Sequence, residues 1–251
     1  MDAAASPPPS PSVVAVLVTD GRGPHLEEVL RALVAQDHPH LEVLVVAHGD
    51  GDPTARVHAV APAARVHRAA GAAGRAEAAN AVIGRVTGAE FYLFLHDDAA
   101  PDPGAVAALV AAADRSGADV VGPKLVRWDD HRRITQLGMG VDRVATILPY
   151  VEWGELDQGQ HDGVREVFAV PGAFVLVRAR RFEEVGGFDE AIHAERAGDL
   201  SLAWRARIAG ATVVVTSAAR VRHAEACTPG PAGARAARDR VRVLLTSDRW
   251  G

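Results

Sequence analysis

Within its first 125 residues the chain swings at least four times between solid apolar runs and stretches whose apolar residues recur at helical spacing. Val13-Val14-Ala15-Val16-Leu17-Val18 is the first such run, continuous and β-branched, as a strand covered on both faces requires. Leu26, Val29, Leu30, Leu33 and Val34 follow at helical spacing, and Pro39 closes that helix. Leu41 to Val46 reads as a second strand ending in His48-Gly49-Asp50-Gly51-Asp52-Pro53, a strong loop signal. The pattern continues with a short helix over 57–60, a strand over 64–67, a helix over 74–87 and a strand over 91–95. Pro101-Asp102-Pro103 opens a further helix to Arg115, proline being suited to a first turn, and 119–122 is strand-like. Such alternation predicts an α/β fold with a parallel, doubly wound sheet.

The second half has a different texture. Residues 126–165 are polar, irregular and rich in glycine. Phe168-Ala169-Val170 and Phe174 to Val177 read as strands flanking Pro171-Gly172, Arg180 to Val185 as a short helix, Leu200 to Ala209 as a helix closed by Gly210, and Thr212 to Thr216 as the last strand. Residues 1–12, almost all Ala, Pro and Ser, predict a disordered leader, and 13–226 a single domain. A Pro/Gly linker and basic helical tail take up 227–251, with Arg235, Arg238, Arg240 and Arg242 among apolar residues. Two readings stand for that tail: a solvated terminal helix, or one that associates with an anionic membrane surface.

Bulk properties narrow the function. A net charge of −5 argues against a nucleic-acid partner. One cysteine, Cys227, favours a reducing compartment. The start has no basic head followed by an apolar run, and no stretch approaches the length of a membrane helix, so a cytoplasmic location is expected.

The strand at 91–95 runs straight into His96-Asp97-Asp98. Oxygen ligands at the carboxyl end of a buried strand lie where an open α/β sheet places its ligand, and hard divalent cations bridge such oxygens to substrate phosphates. Asp97 and Asp98 are therefore the leading candidates for a metal–diphosphate site, one meeting the cation and the other acting through water or a ribose. His96 is a further candidate, disfavoured because imidazole prefers metals softer than magnesium. Thr19 and Asp20, at the end of the first strand, are plausible nucleotide contacts, whereas Arg75 reads as part of a solvated face. Asp199 is also well placed to cap a helix beginning at Leu200, and Asn80 to satisfy backbone groups at its own helix.

Taken in order, five segments resemble family 2 glycosyltransferases of the GT-A fold, in particular cell-envelope enzymes of the actinobacterial type. They are Thr19-Asp20-Gly21-Arg22 after the first strand; Gln36-Asp37-His38-Pro39 with the second; Gly74 with Asn80; Leu95-His96-Asp97-Asp98-Ala99; and Gly186-Gly187-Phe188-Asp189-Glu190 followed by Asp199 and Trp204-Arg205. The resemblance implies a mainly parallel central sheet flanked by helices. It implies inverting transfer of a sugar from a nucleotide-diphosphate sugar to a hydroxyl of a glycan or lipid-linked glycan, assisted by Mn²⁺ or Mg²⁺, at the inner face of the membrane or free in the cytoplasm. It further implies Asp199 as catalytic base, Asp98 and His223 as metal ligands, and Thr19, Asp20, Asp52, Asn80 and Asp97 on the donor side. Three positions depart from the family pattern: Ala47 replaces the base-reading aspartate, Gly198 the usual glutamate beside Asp199, and Ser201 a later acid. These losses favour the competing reading, a catalytically impaired module that binds a nucleotide or a partner. Trp128, Tyr150 and Trp153 are expected to shape the acceptor side, since aromatic faces suit sugar rings.

Overall fold

The computed structural model describes residues 10–224 and 234–247. The leader residues 1–9, Cys227 and the Pro/Gly linker lie outside the described residues. In chain order the elements are β1 (Val13–Thr19), α1 (Leu26–Val34), β2 (Leu41–Ala47), α2 (Thr54–Val60), β3 (Arg65–Arg68), α3 (Arg75–Asn80), β4 (Phe91–His96), β5 (Ala99–Pro101), α4 (Ala105–Ser116) and β6 (Val120–Arg127). There follow β7 (Arg133–Gln136), β8 (Met139–Val141), β9 (Ile147–Pro149), β10 (Glu155–Leu156), β11 (Val164–Glu166), β12 (Phe174–Arg178), α5 (Ala179–Glu184), α6 (Glu195–Ile208), β13 (Val213–His223) and α7 (Ala234–Ser247).

One sheet runs in the order β10-β7-β6-β12-β4-β1-β2-β3, with β13 beside β6 and β5. Pairing is parallel from β4 through β1 and β2 to β3, and β12 enters antiparallel between β4 and β6. The alternation read from the first half is thus the α/β fold observed, a mostly parallel sheet with helices on both sides. Strand period explains its two cores. Val13, Ala15 and Leu17 face Leu30 of α1 and Leu109 of α4; Val14, Val16 and Val18 face Phe182 of α5 and Leu202 of α6.

Several expected boundaries move. The stretch 126–165 is not irregular: β6 extends to Arg127, and five short strands follow it. Phe168-Ala169-Val170 forms no strand, only a single bridge between Ala169 and Met139. α3 ends at Asn80 and gives way to turns, rather than running to Thr87. α6 begins at Glu195, so Asp199 lies inside the helix and does not cap it. β13 runs past Thr216, through a register shift, to His223. For β6, β7 to β11 and β13, tertiary pairing overrides a local signal.

The tail helix packs against α6. Val243 is buried in a small core with Ile192 and Leu200, Asp239 accepts a hydrogen bond from Ala194 N–H at 2.9 Å, and Arg242 pairs with both oxygens of Asp189. Among the described residues no helix is long and apolar enough to cross a membrane.

Candidate active site

Register brings the carboxyl ends of three strands level. Val18 of β1 lies opposite Val46 of β2 on one side and His96 of β4 on the other. Thr19, Ala47 and the His96-Asp97-Asp98 turn therefore share one edge of the sheet. His96 and Asp98 turn toward one another, while Asp97 reaches across to the loop after β1. Asp97 Oδ2 accepts the Thr19 hydroxyl at 2.5 Å, and Thr19 Oγ1 in turn accepts Gly21 N–H at 2.9 Å. The pair braces the loop after β1.

The far end of β13 supplies the third side chain. His223 lies opposite Ala99 of β5, and Ala224 N–H donates to Asp98 O at 3.0 Å. His223 Nε2 is 3.3 Å and His96 Nδ1 3.9 Å from Asp98 Oδ1, and one donor atom from each residue lies within 4.8 Å of the others. Burial works against the charge on Asp98, yet the His223 hydrogen bond and the positive charge around it, Arg75 included, hold its pKa at about 2. Burial, with Arg75 and His223 nearby, drives the His96 pKa well down, keeping its imidazole neutral and able to donate a lone pair. His223 Nδ1 is buried without a hydrogen-bond partner. Two imidazoles and one ionised carboxylate form a donor set that fits a divalent cation. Asp98 and His223 are thus brought together as a potential ligand set; the third member is His96, not Asp97.

Asp199 reaches this region through two backbone steps. His96 N–H bonds to Ala173 O at 3.1 Å, and the neighbouring Gly172 donates its N–H to the Asp199 carboxylate. A Cβ at Gly172 would overlap Asp199 Oδ1, so only glycine lets the carboxylate sit there. Burial, helped by the charge of Glu195, pushes the Asp199 carboxyl up to about 7, against the pull of the Gly172 N–H, Arg196 and Arg75. Asp199, His96 and Gly172 line a common cavity of about 350 Å³.

The chain belongs to the glycosyltransferase-like family 2.

The model of that family matches residues 9–242, nearly the whole chain. No curated protein sequence matches this glycosyltransferase-family chain. Among solved structures it is similar to GalNAc-T7 with UDP, GalNAc and Mn²⁺ (TM-score 0.75, 11% identity, 95% of this chain and 48% of that one). It is also similar to the mannosyltransferase PcManGT from Pyrobaculum calidifontis with GDP-Man and Mn²⁺ (TM-score 0.65, 21% identity, 100% of this chain and 68% of that one). A third is TarS of S. aureus (TM-score 0.63, 16% identity, 94% of this chain and 39% of that one). The family 2 chain thus spans about half or less of two of these proteins, and at such identities the likeness shows the shared GT-A fold alone.

The remaining expected site residues of this family 2 chain, Asp20, Asp52 and Asn80, are not among those that line this cavity. Asp20 is exposed beside the loop after β1, accepting Arg22 N–H at 2.9 Å. Asp52 is exposed, accepting Thr54 N–H at 3.0 Å and lying 3.4 Å from Arg68. Asn80 spans two segments. Its side chain donates to Phe188 O and Glu190 and accepts Phe188 N–H, tying α3 to the Gly186–Glu190 loop. Trp128 packs on His25 at 4.3 Å under the Arg222 guanidinium, while Tyr150 and Trp153 are exposed; the cavity wall is built without all three. Arg75, read from sequence as a solvated face, instead lines the cavity, 3.4 Å from Glu195 and donating to Val18 O at 3.2 Å. Its position next to Gly74, at the entry of the helix that carries Asn80, was the available signal.

Proposed function

We propose that this domain transfers a sugar from a nucleotide-diphosphate sugar to an acceptor hydroxyl, with inversion at the anomeric carbon. The observation that carries this reading is one cavity walled by both Asp199, a carboxyl whose proton affinity lies near neutrality, and His96 of the His96–Asp98–His223 cluster. Asp199 is the general base, accepting the acceptor hydroxyl's proton as the new glycosidic bond forms. Asp98 and His223, joined by His96, would hold the cation. A cation held by these residues would supply Lewis-acid neutralisation of the charge on the departing diphosphate. Thr19, Asp20, Asp52, Asn80 and Asp97 make up the donor side, where Thr19 and Asp97 stiffen one loop and Asn80 another, so that the nucleotide meets a fixed frame. Arg75 adds positive charge beside the departing diphosphate. Two of the similar structures hold nucleotides with Mn²⁺, but one holds UDP and the other GDP-Man, so the base is left open here, as Ala47 also implies.

The acceptor in this reading is a glycan or lipid-linked glycan of the cell envelope, met at the cytoplasmic face of a membrane. Arg238, Val241 and Leu245 are exposed along α7, a mixed basic and apolar stripe of the kind that rests on anionic lipid.

A thermal-shift screen of nucleotide sugars with and without Mn²⁺ identifies the donor. With that donor, Asp199→Asn is expected to lower transfer by about 10²–10⁴-fold while leaving the donor-induced shift intact, the usual contribution of a general base. Full transfer by that variant removes Asp199 from the mechanism. Donor binding by the wild type without turnover onto any acceptor marks a binding module instead.

A further inference from the structure

Asp199 has a glycine on either side in space, and the two answer different needs. Gly172 is dictated by the carboxylate's seat, as described. Gly198 is not dictated by the fold. It sits in α6 with its N–H bonded to Ala194 O at 3.0 Å, its φ lies outside the left-handed region, and a Cβ there would meet nothing within 4 Å. A glycine within a helix forgoes stability relative to alanine, because the unfolded chain has more freedom to lose. Helix stability would be served better by a small side chain, and nothing in the fold stands in its way. What the missing side chain leaves free is space in the cavity next to Asp199, walled also by Phe188, Ile192 and His193.

We propose that Gly198 is the specificity-determining position of the acceptor subsite. The bare helix backbone there admits a pyranoside whose ring carries a substituent bulkier than hydroxyl beside the position presented to Asp199. This rests on the glycosyl-transfer reading above. Phe188 and Ile192 offer apolar surface and His193 a polar edge, a combination matched by an N-acyl group with its methyl and its amide. Any side chain at 198 takes the volume that this substituent needs.

The test measures binding to protein held in Mn²⁺ with both UDP and GDP present. The probes are methyl 2-acetamido-2-deoxy-β-glucoside and methyl β-glucoside, followed by calorimetry for wild type and Gly198→Ala. Wild type is expected to prefer the acetamido glycoside by at least about fivefold, roughly 1 kcal/mol. Gly198→Ala is expected to lose that preference, while its melting midpoint rises by about 1–4 °C from the helix gain. An undiminished preference in the variant, or no binding of the acetamido glycoside to wild type, overturns the proposal. So does a lower midpoint in Gly198→Ala, since the fold would then be what requires glycine. Loss of the preference in the variant, alongside a wild type that transfers no sugar, leaves this subsite standing and sinks only the catalytic reading.

Discussion

Replacing Asp199 by asparagine isolates the consequence of burying an ionisable group beside a cleft. The native carboxyl keeps its proton up to about pH 7, whereas the unfolded chain releases it near 3.8. Between those values the unfolded state binds fewer protons, so stability falls as pH rises. This contribution is whole below about pH 4 and gone above about pH 7. Roughly three pH decades at about 1.36 kcal/mol each set a ceiling of ~4 kcal/mol. Cavity water reaches part of the residue and screens the charge, so about 2 kcal/mol is the expected size. Asp199→Asn is nearly isosteric and keeps an oxygen for the Gly172 N–H, but it cannot ionise. Relative to wild type, the variant should therefore gain about 2 kcal/mol between pH 4.5 and pH 8, with most of the change between about 5 and 7. Urea titrations across that range, in chelator to remove cations, read the difference directly. A gap between the two proteins that stays constant with pH refutes the assigned burial of Asp199, and with it the physical basis for a base poised near neutrality.

Asp98→Ala is expected to abolish the Mn²⁺-dependent rise in melting midpoint, with wild type responding more to Mn²⁺ than to Mg²⁺; equal responses to both cations would count against a ligand set with two imidazoles. Lys124 is buried among Asp157 and Asp162, so Lys124→Met should cost about 3 kcal/mol in a guanidinium titration, moderated because Arg220 still pairs with Asp157. Asn80→Ala removes the clasp on Phe188 and should cost about 1–3 kcal/mol by the same assay; an unchanged stability with weakened donor affinity would point to direct nucleotide contact instead.

The first half of the chain was legible because β1 and β4 are covered on both faces and so spell themselves as unbroken apolar runs, whereas the polar edge strand β3 showed itself only by its place in the alternation. The short strands β7 to β11 were not, because they pair at edges and carry polar residues such as Arg133, Gln136, Glu155 and Arg165. β13 was cut short at Thr216 since Ser217-Ala218-Ala219 looks like a strand's end, although the chain resumes its pairing at Arg220. At the cluster, the adjacent acids drew the eye to Asp97. The turn after β4 instead groups residue 96 with 98, which strand alternation does not dictate once the chain has left the strand. Arg75 shows the opposite limit: nothing local distinguishes an arginine on a wet surface from one turned into a cleft by an element about 120 residues away, here Glu195 of α6.

The antiparallel entry of β12 between two strands of opposite course has a dynamic consequence. It stitches Ala173 to His96 in the middle of the sheet. Amides there should exchange with deuterium only on global opening, so that the spacing of the cation ligands and the floor under Asp199 hardly breathes. Motion that admits and releases substrates is then expected in the Gly186–Glu195 segment, whose attachments include the Asn80 clasp, the Arg205 bond to Gly187 O, the Arg75–Glu195 pair and the Asp239 and Arg242 bonds from the last helix. Turnover in such an arrangement would be paced by a segment whose stiffness the final helix shares in setting, not by the rigid floor.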